Sequence, residues 1–157
     1  MRKRLIDEVR LDESIPEHNW LHVADLAEVE MTSEDALHPI ESAFLDDGNL
    51  GWRAGVAGSQ TIRLRFENPQ RIRLIHLRFI ESAVERTQEY VLRWSSDNGR
   101  SFQEIVRQQW NFNPSGTTEE TEDHQVDLSN VTVLELIINP DIGNQNAIAS
   151  LAKWRIA

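Results

Sequence analysis

Cysteine is absent from the 157-residue sequence, and with it any disulfide framework, thiolate metal site or cysteine nucleophile. No stretch comes near the roughly 20 consecutive apolar residues that a membrane-spanning helix requires. The basic opening Met1-Arg2-Lys3-Arg4 meets Asp7 and Glu8 with no apolar run behind them, so it does not read as a secretion signal. Basic side chains are outnumbered, 16 against 26 acidic ones, and the resulting formal charge of -10 repels phosphate backbones and anionic lipid. These absences predict a cytoplasmic protein with neither nucleic acid nor membrane as partner.

Catalytic motifs are missing too. There is no Gly-x-Ser-x-Gly elbow, no glycine-rich phosphate loop and no carboxylate pair that stands out among the 26 acids. His18 and His22 have the i, i+4 spacing of helical metal ligands, but the intervening Asn19-Trp20-Leu21 lacks the glutamate of the zinc-protease motif. His38, His76 and His124 stand singly. The sequence therefore predicts a protein that is not an enzyme and has no cofactor.

What is present is β-patterning. Hydrophobic residues make up 39% and charged ones 27%, the balance of a folded chain. Ala27, Val29 and Met31 alternate with glutamates, and Ile62, Leu64 and Phe66 with Arg63 and Arg65, as in strands covered on one side. Between Arg71 and Glu81 the apolar parity changes, from Ile72 and Leu74 to Ile75, Leu77 and Phe79, which predicts a β-bulge near Leu74. Further strands are expected over residues 87–95, 101–112, 124–128, 131–139 and 148–156, with 131–138 apolar enough for a central position. No amphipathic helix is found in the second half. Asn68-Pro69, Asp97-Asn98-Gly99, Asn113-Pro114 and Asn139-Pro140-Asp141 supply the breaks, and the acidic stretch from Thr117 to Asp123 reads as a solvated loop. Residues 1–19 form an extension in which Leu5, Ile6, Val9 and Leu11 suit a short helix or an edge strand ended by Pro16; residues 20–157 form one domain.

The segment from Tyr90 to Phe102 writes a whole hairpin, with Tyr90, Leu92 and Trp94 on one face and an Asn98-Gly99 turn that tolerates positive φ. This block resembles the Tyr-x-Leu-x-Tyr-Ser-x-Asp-Gly core of discoidin-like, or galactose-binding-like, jelly-roll domains, a group that includes carbohydrate-binding modules and the membrane-binding domains of coagulation factors. Ala43-Phe44-Leu45-Asp46-Asp47-Gly48 with Trp52 is similar to the Asp-Gly loop of those domains. Residues 60–66 resemble the strand that follows this loop in those domains, and residues 149–156 resemble their last strand, which returns beside the Asp-Gly loop. The resemblance implies an all-β jelly-roll sandwich of about eight antiparallel strands. It also implies a non-catalytic binding module for carbohydrate or a glycan-like ligand, held by loops at one end. The alternative is a protein-interaction module that uses the same loops or an arginine-bearing sheet face.

Many relatives of this kind bind a structural calcium through the Asp-Gly loop and a glutamate of the last strand. Lys153 stands at the glutamate's place, and an ammonium group offers no oxygen to calcium. Lys153 is either a counter-charge for Asp46 or Asp47 or a solvent-facing residue, and calcium at Asp46 and Asp47 remains only if the site survives Lys153. For the ligand, an aromatic platform joined to polar groups is needed. Trp94 and Trp154 share strand phase with core residues and Trp20 is ambiguous; Trp52, Arg53 and Trp110 are the expected ligand-binding residues. Arg63, Arg65, Arg71, Arg73, Arg78 and Arg93 all fall in expected strands, where Arg65 opposite Arg73 would need intervening acids. They form either a face laced with glutamate pairs or a docking surface for an acidic partner or second copy.

Overall fold

The computed structural model describes residues 19–45 and 51–157. The expected N-terminal helix or edge strand, His18, Asp46 and Asp47 lie outside the described residues. Two single helical turns, α1 (Val23–Leu26) and α2 (Glu41–Phe44), accompany eight strands: β1 (Ala27–Met31), β2 (Trp52–Arg53), β3 (Gln60–Ile80), β4 (Arg86–Ser95), β5 (Gln103–Phe112), β6 (Glu119–Asn139), β7 (Ser150–Leu151) and β8 (Lys153–Ile156). Every pairing between them is antiparallel.

Two strands organise the molecule. β3 and β6 each have 21 residues, which laid straight would span about 70 Å, well beyond the roughly 40 Å breadth of a domain this size. They must bend, and both do so at one corner. The register of the β3–β6 pair jumps between Arg65 and Gln70, where Pro69 can donate no ladder bond, and Asn130 on the partner adopts φ 58. Before the corner, β3 pairs with β1 and with β6 residues 133–138, and that end of β6 also pairs with β4, which carries β5. Beyond it, β3 pairs with β6 residues 119–131 and with β8. The halves face each other as the two layers of a sandwich.

Alternation fills the space between them. Ile62 and Leu64 are fully buried while Arg63 and Arg65 face outward; the parity change to Ile75, Leu77 and Phe79 follows the register shift between Ile72 and Leu74. Each such side chain contributes about 1.5–3 kcal/mol. Across the layers Phe79 meets Tyr90, ring centroids 5.3 Å apart, and β6, with Leu134, Leu136 and Ile138 buried, is the central strand its composition predicts.

Three expectations need correction. The acidic stretch 117–123 is not a loop: residues 119–123 pair with Ile80 to His76, because alternation, not net polarity, decides a strand covered on one side. Asn68-Pro69 bends a strand instead of ending it. Trp94 is half-buried against the core, since it lies beyond a register shift near the hairpin end of β4, whereas Trp154 is buried as expected. The hairpin turn itself has Asn98 at φ 63 and Gly99 at φ 88. Ser95 and Ser101 hydroxyls and the Ser101 amide bond Asp97, holding its carboxyl well below the usual carboxylate range.

Candidate functional site

The three expected ligand residues separate. Trp52 and Arg53 form β2, which pairs with Leu151 and Ser150, so alternation sends one inward and the other out. Trp52 is fully buried, and its indole donates to the Ser33 carbonyl at 3.2 Å. It has no face left for a ligand, which corrects the platform expected there: it plugs the end of the sandwich. The plug is drawn in tightly. Gly51 sits at φ 66, and a Cβ on it would lie 2.4 Å from the Leu151 carbonyl oxygen. Trp110 lies on the inward side of β5 opposite Gln88, half-buried, its indole nitrogen buried without a partner among the described residues. It does not meet Arg53.

Arg53 is exposed and lines a pocket of about 250 Å3 at the loop-bearing end. Segments 81–86 and 144–148 complete it, with Glu81, Arg86, Asn144 and Asn146 as polar groups and Val84, Ala147 and Ile148 as an apolar wall. The 141–147 loop is held by side chains that copy turn hydrogen bonds. Asp141 accepts the Gly143 amide at 3.0 Å, and Asn144 accepts that of Asn146 at 3.0 Å. Backbone bonds from Ile142 to the Thr87 carbonyl (2.9 Å), from Gly58 to the Ala147 carbonyl (3.0 Å) and from Ala54 to the Ala149 carbonyl (2.9 Å) dock the loop on both neighbours.

Arg86 is the unusual residue. Its side chain is 1% exposed and lies over the Phe112 ring at 4.8 Å. Nε donates to Glu81 at 2.8 Å, and Nη1 donates to the Pro140 carbonyl at 2.8 Å and to Gln88 at 3.0 Å. Nη2 is buried and has no partner among the described residues. A guanidinium carries five N–H donors, and a buried donor left unmade costs about 1–3 kcal/mol, more when charged. Glu81 is fully engaged, since its second oxygen accepts the Ala83 amide at 3.1 Å. Burial pushes its carboxyl up, but the Arg86 bond, the Ala83 and Val84 amides and the Arg86 charge outweigh this and hold it low.

Of the three expected residues only Arg53 lines this pocket; Arg86, Asn144 and Asn146, which line it too, are not among the residues expected from the sequence. A signal existed for Arg86: it shares the inward parity of Gln88, Tyr90 and Leu92, where an arginine is out of place. Lys153, on β8 opposite Arg78, is half-buried; supplying no oxygen, it does not fit a calcium ligand's place.

The six strand arginines divide between layers. Arg63, Arg65 and Arg93 share the outer face of the five-stranded layer; Arg71, Arg73 and Arg78 belong to the other layer, where Arg71 and Arg78 are bonded to Asp127 and Glu119 at 2.9 Å. Arg65 and Arg73 are not opposed, because both belong to β3, and Arg65 sits between Glu28 and Val133. On the outer face Arg63 bonds the fully buried Glu135 at 2.6 and 2.7 Å, Arg93 bonds its other oxygen, and Arg65 bonds Glu30 at 2.7 Å. A groove of about 370 Å3 there runs over Val91, Ile137 and Phe102, where Arg107 is held by Glu89 and Glu104. This is the laced face.

With two layers joined by corner-turning strands and loops gathered at one end, the architecture can be matched to solved structures. The chain is similar to a pectin-binding carbohydrate-binding module (TM-score 0.60, 16% identity, covering 83% of this chain and 89% of that one). It is similar to the CBM32 of AlyQ in complex with 4,5-unsaturated mannuronic acid (0.61, 18%, covering 89% and 98%). A third is the family 32 module from C. perfringens NanJ in complex with galactose (0.61, 15%, covering 87% and 96%). The fold is the galactose-binding-like jelly roll. No protein-family model and no curated protein matches the sequence.

Proposed function

We propose that this jelly roll is a non-catalytic carbohydrate-binding module and that its sugar enters the loop-end pocket beside Arg53. One observation carries the reading: a buried arginine with unmade donors lines a pocket that also presents two asparagines and an aliphatic wall. Hydroxyl-rich ligands need such a mixture, with donors and acceptors fixed in place and an apolar surface for C–H groups. Modules of the same fold bound to galactose and to an unsaturated mannuronic acid support the ligand class. Aliphatic side chains here replace the aromatic platform, so the reading rests on hydrogen bonding more than on stacking. Lys153 extends the proposal to the metal: a module without a calcium ligand at that place should keep its melting temperature unchanged in EDTA, and a loss of stability restored by calcium would overturn this.

A glycan array followed by calorimetry tests the function. Binding to at least one glycan, weakened by Asn146→Ala with an unchanged circular dichroism spectrum, is expected. An array with no binder overturns the reading in favour of a protein partner.

A further inference from the structure

We infer that the pocket selects a sugar bearing a carboxylate, with the acid group of a single terminal uronate bridging Arg86 Nη2 and Arg53. The inference rests on the pocket being the sugar site and deepens it. Net charge runs the other way, at -10 for the chain, so a local excess of positive charge marks the pocket off from its surroundings. Two guanidinium groups and one carboxylate line it, and both oxygens of that carboxylate, Glu81, are taken up by Arg86 Nε and the Ala83 amide. Among the lining side chains one positive charge is left over, and Asp35, which acts on Arg53 from outside the pocket, is itself bonded to the Leu37 amide and His38.

The unpartnered group is specific about what it will accept. Arg86 Nη2 can only donate, it is held by three bonds on the other nitrogens, and it cannot lose its proton. A neutral hydroxyl would satisfy one donor while keeping its own proton to place. A carboxylate brings two acceptor oxygens and no proton, matching a planar guanidinium, and its hydrogen bonds are about twice as strong as neutral ones. Arg53, exposed at the rim, can close on the second oxygen at little cost. At about 250 Å3 the pocket lies below the usual range for drug-sized ligands, roughly 300–1,000 Å3. It therefore suits one ring at a chain end.

The test compares sugars that differ only in that group. Methyl glycosides of galacturonic, glucuronic and mannuronic acid are titrated against their neutral parents by calorimetry, at low and at high sodium chloride. At least one uronate should bind about tenfold or more tighter than its parent, and added salt should shrink the ratio. Arg53→Gln, a surface change, should bring the ratio towards one with the fold intact; Arg86→Gln should do the same, and if that variant unfolds, Arg53→Gln decides alone. Equal binding of acid and neutral sugars, or a ratio untouched by Arg53→Gln, overturns the inference while leaving the sugar site standing. If no glycoside of either kind binds and the glycan array is also blank, both fail together.

Discussion

The outer face of the five-stranded layer and the loop-end pocket both carry arginines, and they differ in whether the guanidinium groups are finished. On the outer face of the five-stranded layer, Glu135 is fully buried between Arg63 and Arg93, Phe102 lies 4.1 Å from the Arg93 guanidinium, and Arg65 is held by Glu30 and the Asn98 carbonyl. In the loop-end pocket, Arg86 is as deeply buried as Glu135, yet its Nη2 has no partner among the described residues. A closed network stiffens a sheet; an open one is poised for a ligand. Arginines on a face therefore say little about binding until each donor is followed to its acceptor.

The largest effects come from opening the closed region or removing the plug. Glu135→Ala should cost about 3–5 kcal/mol in urea unfolding, because it strands two guanidinium groups that were built around one buried carboxylate. Replacing all three by apolar residues, Arg63→Met, Glu135→Leu and Arg93→Met together, should cost far less than the single change. If the single change is nearly silent, the outer face is not a closed network. Trp52→Ala should also cost about 3–5 kcal/mol and Trp110→Ala clearly less, since only the first is fully buried.

How far the sequence could be read follows from the same distinction. Alternation and turn chemistry are local, so the strands outside the acidic stretch 119–123, the phase change near Leu74 and the Asn98-Gly99 turn are legible residue by residue. The joining of 60–66 with 71–80 into one strand was not, because whether Asn68-Pro69 ends a strand or bends it depends on the partner, where Asn130 makes the matching bend. At the pocket, the loop position of Arg53 agrees with its exposure, while the burial of Trp52 beside it is not legible: β2 is two residues long and its inward parity comes only from pairing with β7. Arg86 needed its distant partners, Glu81, Gln88 and Pro140, before its open nitrogen meant anything.

A smaller effect lies between the layers. Glu120 is buried beside Gln88, whose amide bonds it at 3.3 Å, with Glu122, Gln108, His124, Tyr90 and Arg86 around that interior. Burial, then the Glu122 charge and hydrogen bond, push its carboxyl up to about 8, against smaller pulls from Gln88 and Arg86. Above the unfolded value near 4.5 the folded state then holds a proton the unfolded state has released, so stability falls as pH rises from about 5 to about 8. Glu30, Glu81, Glu89 and Glu119 are held low and act in the opposite sense, losing their contribution as pH drops below about 4. Burial holds His124 below its ordinary value, so below about pH 6.5 it opposes Glu120, and stability should form a broad maximum near pH 5–6.5. Glu120→Gln should flatten the alkaline side and raise stability at pH 8 by about 1–2 kcal/mol; an unchanged slope between pH 5 and 8 would show that Glu120 is ionised in the fold.

The smallest effect sharpens the comparison from within the closed region. Arg107 belongs to the same outer face as Arg63 and is bonded to two carboxylates, Glu89 at 2.7 Å and Glu104 at 2.9 Å, but its side chain is 54% exposed where Glu135 has no exposure at all. Water competes for each of those bonds, salt screens them, and holding a long side chain in place costs rotamer entropy. Arg107→Ala should therefore leave the urea midpoint unchanged within error, at both low and high salt, while Glu135→Ala shifts it strongly. A large loss at Arg107 would mean that the ladder acts as one cooperative unit reaching from β1 to β5, and the closed region would then extend to the rim of the groove over Val91 and Ile137.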